Sequence, residues 1–353
     1  MKKIVLTGGG TMGHINPNLA LLPKLSPIFD EIHYIGSKNG IEREKIESLK
    51  STYKNLSYHP IPSTKLIRGN LFKNLFLPFV LIKSLKITKK LLKELSPDVI
   101  FSKGGYVSVP VTLSAGKLGI PLVIHESDLS MGLANKIASK RATTICTTFP
   151  ETAKRFKNGV STGSPISTQL LCADKTVAIK KYSLNPKLKT ICITGGSLGS
   201  VVLNDDVHRI LPTLTEKYNI IHLTGKGKRV KFSHPNYHQE EFTSDIGSVF
   251  KASDLVISRA GSNTIFELAT LKIPMLLVPL SKKSSRGDQI ENANYFKKLG
   301  LAEVIEEENL KNLQSVLEKT LSSIPKLKSA LEKQNFSNGL PLLLDEIIKA
   351  TKR

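Results

Sequence analysis

Two stretches of the 353-residue chain begin alike, each with a short apolar run that ends in a glycine-rich turn. The first reads Ile-Val-Leu-Thr-Gly-Gly-Gly at residues 4–10, and the second reads Ile-Cys-Ile-Thr-Gly-Gly-Ser at residues 191–197. A glycine-rich turn between a strand and a helix lets backbone N–H groups approach an anion closely, and the helix dipole favours negative charge there. The repetition predicts one phosphate-binding architecture used twice.

Short β-branched runs alternate with segments of helical periodicity through both halves of the chain. This alternation is typical of α/β domains with a parallel sheet covered on both faces. At roughly 100 to 200 residues per domain, the length suits two domains. We place them at residues 1–163 and 164–353, with the final helix a candidate to return to the first domain. Strands are predicted at residues 4–7, 32–35, 99–102, 122–125, 143–147, 190–194, 220–224, 255–258 and 275–278.

The formal net charge of +22 indicates an anionic partner, and residues 1–163 are the more basic part, with 24 Lys and Arg against 10 Asp and Glu. Nucleic acid and anionic lipid both qualify as that partner. Nucleic acid is disfavoured because the lysines lack interleaved aromatic residues, and neither helix-turn-helix nor zinc-ligand spacing occurs. We therefore expect an anionic membrane surface and no nucleic acid.

Targeting signals and cysteines indicate the cellular compartment. No run of about 18 apolar residues occurs, which argues against a membrane-spanning helix. Glycines at 8–10 interrupt the N-terminal apolar run before it reaches the length of a signal-peptide core, so export is not expected. The three cysteines have no Cys-x-x-Cys spacing, which suits a reducing compartment and argues against structural zinc.

Residues 8–13 match the dinucleotide fingerprint Gly-x-Gly-x-x-Gly, so an enzyme that uses NAD or FAD is one alternative. The fingerprint also expects an acidic residue at the end of the second strand, where it binds the ribose. That strand ends instead in Tyr-Ile-Gly-Ser-Lys at residues 34–38. The missing acid argues against nicotinamide chemistry, and we predict no cofactor.

Three further polar residues stand where a ligand can reach them. His14 follows the glycine turn, close to a helix predicted to start near Pro17. A neutral imidazole there is a candidate general base, because a helix N-terminus disfavours imidazolium; an exposed loop histidine is the alternative. Gln289 and Asn292 lie three residues apart, so both can bind sugar hydroxyls from one helix face or simply face solvent.

A polar segment also follows the predicted strand at residues 255–258. Glu267 lies four residues after Asn263 and three after Thr264, so the three share one helix face. A carboxylate there can accept both hydroxyls of a ribose while Ser262 and Thr264 contact phosphate. The alternative is an ordinary helix start with N-capping and a helix-favouring Glu.

Together these segments resemble the MurG family of glycosyltransferases, and the resemblance covers nearly the whole chain. The family fold is of the GT-B type, two Rossmann-like domains facing across a cleft, with the donor nucleotide on the C-terminal domain and the acceptor pyrophosphate on the N-terminal one. Met12 stands where the family usually has glycine, which predicts a first turn less free to adopt positive φ. The signatures lie, in family order, at residues 9–14, 103–110, 125–136, 195–199, 260–267 and 289–292.

The resemblance implies transfer of N-acetylglucosamine from UDP-N-acetylglucosamine to an undecaprenyl-pyrophosphoryl-muramyl-pentapeptide, the lipid I to lipid II step of peptidoglycan synthesis. The enzyme would be peripheral, at the cytoplasmic face of the cell membrane. His14 and Asp128 are the implied catalytic residues. Thr243, after a short strand expected at 240–242, would contact uracil through its backbone. The implied substrate-binding residues are Thr11, Gly13, Ser197, Thr243, Ser262, Asn263, Thr264, Glu267, Gln289 and Asn292.

Many glycosyltransferases bind a metal through Asp-x-Asp, which this sequence lacks. Stabilisation of the departing UDP then falls to helix N-termini and hydroxyls, so we expect a metal-independent single displacement with inversion at the anomeric carbon. Two alternatives remain open. One is another UDP-sugar transferase that acts on lipids or small aglycones, and the other is a non-catalytic nucleotide-sugar sensor.

The segment at residues 71–95 combines a hydrophobic stripe with many lysines. For residues 85–95 we predict the buried face of a Rossmann helix. Pro78 interrupts the first half, which we expect to form an exposed corner that enters an anionic membrane. The stripe comprises Leu71, Phe72, Leu75, Phe76, Phe79 and Val80, and the accompanying basic residues are Lys65, Arg68, Lys73, Lys83, Lys86, Lys89, Lys90 and Lys93.

Overall fold

The computed structural model describes residues 1–65 and 75–352, and the chain divides into two α/β units. The first unit comprises Met1–Ser167 and Asn338–Arg353, and the second comprises Thr168–Ser337. The boundary expected after residue 163 therefore falls before the observed one. Each unit has one sheet in which all named strands pair in parallel, which confirms the predicted fold class of two α/β domains.

The first unit has a seven-stranded sheet in the order β3-β2-β1-β4-β5-β6-β7. Apolar side chains on its two faces pack under helices in two separate core clusters. The strands are β1 Lys3–Thr7, β2 Glu31–Ser37, β3 Leu56–Ile61, β4 Val99–Ser102, β5 Leu122–Glu126, β6 Thr144–Thr147 and β7 Gly159–Ser161. The helices are α1 Met12–Leu25, α2 Ile41–Leu49, α3 Leu77–Leu95, α4 Ser108–Leu118, α5 Leu133–Ser139 and α6 Pro150–Ala153.

The second unit has a six-stranded sheet in the order β10-β9-β8-β11-β12-β13. Its strands are β8 Lys189–Thr194, β9 Tyr218–Leu223, β10 Tyr237–Glu240, β11 Leu255–Ser258, β12 Met275–Leu277 and β13 Glu303–Val304. Its helices are α7 Thr168–Leu171, α8 Lys175–Lys181, α9 Val201–Thr215, α10 Ile246–Lys251, α11 Ser262–Thr270, α12 Asp288–Lys298, the 3-10 helix Glu307–Asn312, α13 Leu313–Ser322 and α14 Ile324–Lys333.

The last helix, α15 Leu340–Ala350, packs in the first unit although the second unit precedes it in the chain. Its apolar face joins the core cluster beside α1 and the middle strands. Asn338 secures the return, since its Oδ1 accepts from Ile166 N–H at 2.9 Å and its Nδ2 donates to Ile166 O at 2.9 Å. The next residue, Gly339, leaves no room for a side chain, because a Cβ there would lie 2.5 Å from Thr162 O.

Two predicted boundaries are wrong. The helix expected near Pro17 begins at Met12, because Gly10 turns the chain with φ 86° and Thr11 already stands as its N-cap. The strand expected at 240–242 is instead Tyr237–Glu240. Its register is set by pairing with β9, and the Tyr237 side chain packs in the core.

For the part of the 71–95 segment that is described, helix α3 confirms the buried face of its second half and the exposure of its first half, while entry into a membrane stays a prediction. One face of its later turns is buried, and the buried residues are Ser84, Thr88 and Leu92. Its start is exposed, with Phe76 and Phe79 each 69% exposed. Leu71, Phe72, Arg68 and Lys73 lie outside the described residues. Among the helices of residues 1–65 and 75–352, none is long and apolar enough to cross a bilayer.

Candidate functional site

The glycine loop of the first unit runs from the end of β1 into α1. Gly10 has φ 86°, and a Cβ there would lie 2.5 Å from the Tyr106 ring, so glycine is required for both backbone conformation and space. Met12 has no positive φ and is the first residue of α1. Met12 therefore does not restrict the turn as expected, because the residue with positive φ is Gly10.

His14 lies in the first turn of α1, where its Nδ1 is 2.9 Å from Thr11 Oγ1. Thr11 and Gly13 are exposed, and His14 is half-buried. A second glycine loop follows β4 and supports this turn, because a Cβ at Gly105 would lie 2.4 Å from Gly9 O and 3.2 Å from His14 Nδ1. The structure thus brings Thr11, Gly13 and His14 together at the carboxyl ends of β1 and β4.

Asp128 lies just beyond the carboxyl end of β5, next to β4 in the sheet. Asp128 is half-buried, and its backbone N–H donates to Glu126 Oε1 at 3.0 Å. Burial, followed by the neighbouring Asp128 charge, raises the pKa of Glu126. The second candidate catalytic residue therefore belongs to the same edge of the first sheet as His14.

Glu42 is a residue of this site that our sequence reasoning missed. It lies in the first turn of α2, is fully buried, and accepts from Ser37 N–H at 2.9 Å and Gly10 N–H at 3.4 Å. Its carboxylate thus lies beside the glycine loop, near the end of β2, where the dinucleotide fingerprint places its ribose-binding acid. The available signal was an acidic residue five positions after that strand.

In the second unit, α11 begins directly after β11 with Gly261 as N-cap. The first N–H groups of a helix have no intrahelical partner, and the N-cap residue Gly261 has no side chain that could accept from them. Ser262 is buried, while Asn263 and Thr264 are half-buried in the same turn. Such a helix start suits a phosphate group.

Glu267 is one turn further along α11, half-buried, and burial raises its pKa to about 7. No hydrogen bond or ion pair joins its carboxylate to any other group in residues 1–65 or 75–352. A carboxylate in low polarity without a donor is unfavourable by itself. It becomes favourable when a ligand supplies hydroxyl donors.

Ser197 and Thr243 lie in loops at the carboxyl ends of β8 and β10. Ser197 is exposed on a turn in which Gly196 has φ 83° and Gly199 has φ 66°. Ser200 closes that turn as the N-cap of α9, accepting from Leu203 N–H at 3.3 Å. Thr243 is half-buried, and its Oγ1 accepts from the backbone N–H of Asp245 at 3.2 Å.

Gln289 and Asn292 differ in accessibility although both lie on α12. Gln289 is half-buried, and its Oε1 accepts from Leu280 N–H at 3.1 Å. Asn292 is fully buried and donates to Ala260 O at 3.4 Å, which links α12 to the loop after β11. Packing of α12 on that loop covers Asn292, and contact of either residue with a ligand stays a prediction.

Arg259 is a buried cation directly before the α11 start. Its Nη2 donates to Ser200 Oγ at 2.5 Å and forms an ion pair with Glu307, while Nη1 donates to Val278 O at 3.3 Å. Arg259 therefore joins the loops after β8, β11 and β12. Among the described residues, no cluster of three or more His, Cys, Asp or Glu has a geometry that could hold a metal ion.

The two units match two domains of one enzyme family. Residues 4–147 match the glycosyltransferase family 28 N-terminal domain, and residues 190–347 match the glycosyltransferase family 28 C-terminal domain. With two parallel α/β units, each with a glycine-rich turn after its first strand, the chain is a glycosyltransferase of the GT-B fold class.

Similar proteins define the family more closely. The chain is 49% identical to the UDP-N-acetylglucosamine–N-acetylmuramyl-(pentapeptide) pyrophosphoryl-undecaprenol N-acetylglucosamine transferase of Lachnospira eligens, over 88% of each chain. It is 43% identical to the enzyme of the same name from Clostridium botulinum, over 99% of this chain and 98% of that protein. The crystal structure of Acinetobacter baumannii MurG shares the fold, with a TM-score of 0.75 at 24% identity over 99% of this chain and all of that one. The chain belongs to the MurG family.

Proposed function

We propose that this chain transfers N-acetylglucosamine from UDP-N-acetylglucosamine to the muramyl-pentapeptide of a pyrophosphoryl-undecaprenol lipid. The reaction is the one for which the relatives at 43% and 49% identity are named. The observation that carries the proposal is the start of α11, where a helix N-terminus with a glycine N-cap lies one turn from the Glu267 carboxylate, which has no hydrogen-bond or ion-pair partner among residues 1–65 and 75–352. Diphosphate and ribose lie at such a separation in a UDP-sugar.

The donor site is assigned to the second unit. The first N–H groups of α11, with Ser262, Asn263 and Thr264, bind the diphosphate, and Glu267 accepts the ribose hydroxyls. Ser197 contacts phosphate from the β8 loop, Thr243 lies against uracil, and Gln289 binds sugar hydroxyls. Asn292 supports the site from behind by holding the Ala260 carbonyl. Thr11 and Gly13, in the glycine loop of the first unit, stay predicted substrate-binding residues.

The acceptor and the base are assigned to the first unit. His14 removes the proton from the acceptor hydroxyl as that oxygen attacks the anomeric carbon, and the bond to UDP breaks with inversion. Asp128 is the second catalytic candidate, positioned by the bond from its N–H to Glu126. Charge on the departing UDP is stabilised by the α11 N-terminus, and because the chain has no Asp-x-Asp, activity should persist in EDTA.

Peripheral attachment to an anionic membrane surface is assigned to the start of α3. Leu75 is 65% exposed beside the two exposed phenylalanines at 76 and 79, and exposed lysines follow on the same helix. Apolar side chains that enter lipid and lysines at an anionic surface act together. A groove that continues this surface is lined by Ile82, Leu85, Lys86, Lys89, Ser114 and Lys117.

The test is turnover of labelled UDP-N-acetylglucosamine with a lipid-pyrophosphoryl-muramyl-pentapeptide, with and without EDTA. We expect the disaccharide-lipid product and retention of most activity in EDTA. Glu267→Ala should weaken donor binding by roughly 10- to 150-fold, the loss of a charge-assisted hydrogen bond pair. Donor binding without turnover of this acceptor would indicate a nucleotide-sugar sensor or a transferase with another acceptor. Unchanged donor binding in a folded Glu267→Ala variant would refute the proposed donor site.

A further inference from the structure

A lysine is buried at the centre of the first unit. Lys103 follows β4, its side chain is 2% exposed, and its backbone N–H donates to Thr7 O at 2.9 Å. On the β1 side it packs against the glycine loop, since a Cβ at Gly8 would lie 3.1 Å from Lys103 Cβ. Burying an ammonium is strongly unfavourable unless nearby groups offset its loss of hydration.

The groups that offset it lie at the end of β5. Lys103 Nζ donates to Ser127 Oγ at 2.6 Å. Burial lowers the pKa of Lys103, and the charges of Glu126 and Asp128 act in the opposite direction. His125 also faces this cation, but burial and then Lys103 hold its pKa well below its usual value, so it is neutral. The Lys103 amine therefore lies at the end of β5, where Glu126 and Asp128 favour its charged form.

Glu126 is the anchor of the loop that carries Asp128. Its Oε1 accepts from Asp128 N–H at 3.0 Å, and its Oε2 accepts from Gly132 N–H at 2.9 Å and Asn135 Nδ2 at 3.0 Å. Both oxygens thus act as acceptors, as an ionised carboxylate does. Burial and Asp128 raise the pKa of Glu126, whereas Lys103 lowers it. The anchor depends on a nearby positive charge.

We propose that Lys103 is a positioning residue: its buried ammonium balances Glu126 and Asp128, holds the loop at residues 127–132 against β5, and so places the Asp128 carboxylate. The effect on catalysis rests on the proposed function, in which Asp128 acts on the acceptor. The effect on the folded state does not, because it follows from the charges alone.

The first test is thermal unfolding of Lys103→Met, which keeps an apolar stem of similar length and removes the charge. Without the cation the pKa of Glu126 in the folded state rises further above its unfolded value. A folded carboxyl with a raised pKa loses stability as pH rises. The Tm difference from the unmodified protein should be small at about pH 5.5 and reach about 4 °C or more at about pH 8.5.

Two matched variants separate charge from packing. Ser127→Ala removes the hydrogen bond and keeps the cation, so its Tm difference should not grow with pH. Lys103→Met combined with Asp128→Asn restores the charge balance and should recover at least about half of the Tm loss at high pH. A Tm loss in Lys103→Met that is equal at every pH would mean that the side chain only packs, and would overturn the proposal.

Failure of Lys103→Met to fold also has an interpretation, which the double variant provides. If Lys103→Met fails to fold at about pH 8.5 while the double variant folds, the charge balance is supported. If neither folds at any pH, Lys103 is required for packing and the proposal is wrong.

The second test is the pH profile of kcat with the lipid-linked acceptor. Lys103→Met should shift the acid limb upward by about one pH unit, so that kcat falls by up to about tenfold on that limb and recovers at higher pH. An unchanged profile in a folded, active variant would overturn the catalytic part. If the unmodified protein shows no turnover, the proposed function fails while the thermal test still decides the role of Lys103.

Discussion

At the scale of single residues, the burial of Glu267 in the second unit affects its protonation near neutral pH. Burial raises its pKa to about 7, so near neutrality it exists both as a carboxylate and as a neutral acid. Only the carboxylate accepts hydrogen bonds from both ribose hydroxyls. In the proposed donor site, binding of the ribose therefore competes with protonation of Glu267.

We predict that affinity for UDP-N-acetylglucosamine falls as the pH drops below about 7, approaching tenfold per pH unit. Its phosphates are diesters and do not titrate in this range, so the protein is the source of the effect. Calorimetry from about pH 5.5 to 8.5 measures it. Glu267→Gln should bind more weakly with a flat profile, and equal affinity across the range in the unmodified protein would exclude Glu267 as the ribose acceptor.

His14 is the proposed general base. The 2.9 Å contact between Thr11 Oγ1 and His14 Nδ1 orients the ring, and Nε2 is the basic nitrogen in the tautomer whose Nδ1–H donates to Thr11 Oγ1. His14→Ala should lower kcat by about 10² or more. Donor affinity, measured separately by calorimetry, should change little.

Thr11→Val is the matched control for orientation. It removes the hydroxyl but keeps the imidazole, so its kcat should fall by less than that of His14→Ala. If His14→Ala retains most of its kcat, the base is Asp128 or Glu126 instead.

At the scale of elements, the start of α3 exposes large apolar side chains beside lysines. Pro78 suits the first turn of this helix, where its missing N–H has no partner to lose. We predict that Phe76→Ser with Phe79→Ser weakens binding to anionic vesicles by about 100-fold or more, since each buried phenylalanine contributes about 1.5 to 3 kcal/mol. Vesicle sedimentation at several salt concentrations measures this.

Leu342→Ser provides the control for this prediction, because Leu342 is 53% exposed on α15, away from the lysine-rich helix. It should leave vesicle binding unchanged. The phenylalanine variant should also keep its affinity for UDP-N-acetylglucosamine and its turnover of a water-soluble acceptor. Loss of folding in that variant would mean that the two side chains are part of the core.

At the scale of the whole molecule, the chain leaves the first unit, builds the second, and returns with α15. Leu343 and Ile347 of this helix are fully buried in the first unit. Leu343→Ala should therefore lower the unfolding free energy of the first unit by about 2 to 5 kcal/mol. Leu342→Ala, at the neighbouring exposed position, should cost less than about 0.5 kcal/mol.

Scanning calorimetry with and without UDP-N-acetylglucosamine assigns the two effects. The transition of the first unit should move in Leu343→Ala, while donor affinity in the second unit is retained. If the transition that responds to donor is the one that moves, the last helix stabilises the second unit instead.

Local patterns in the sequence account for most of the fold. The predicted strands are present because a buried parallel strand needs a short apolar run. The glycine turns are also present, because Gly10 and Gly105 adopt positive φ, which favours glycine. Strand ends depend on the partner strand: Tyr237–Glu240 takes its limits from β9, whose residues lie elsewhere in the chain.

Sequence alone determined the two α/β domains, their glycine turns and the helix face that carries Glu267, because each depends on residues a few positions apart. Only the tertiary structure decided which polar residues are accessible. Asn292 is covered by the loop after β11, and Glu42 reaches Gly10 from another helix. It also decided that α15 docks on the first unit, through a contact between Asn338 and Ile166 across 172 positions. Such contacts form between side chains that folding brings together, and no local period encodes them.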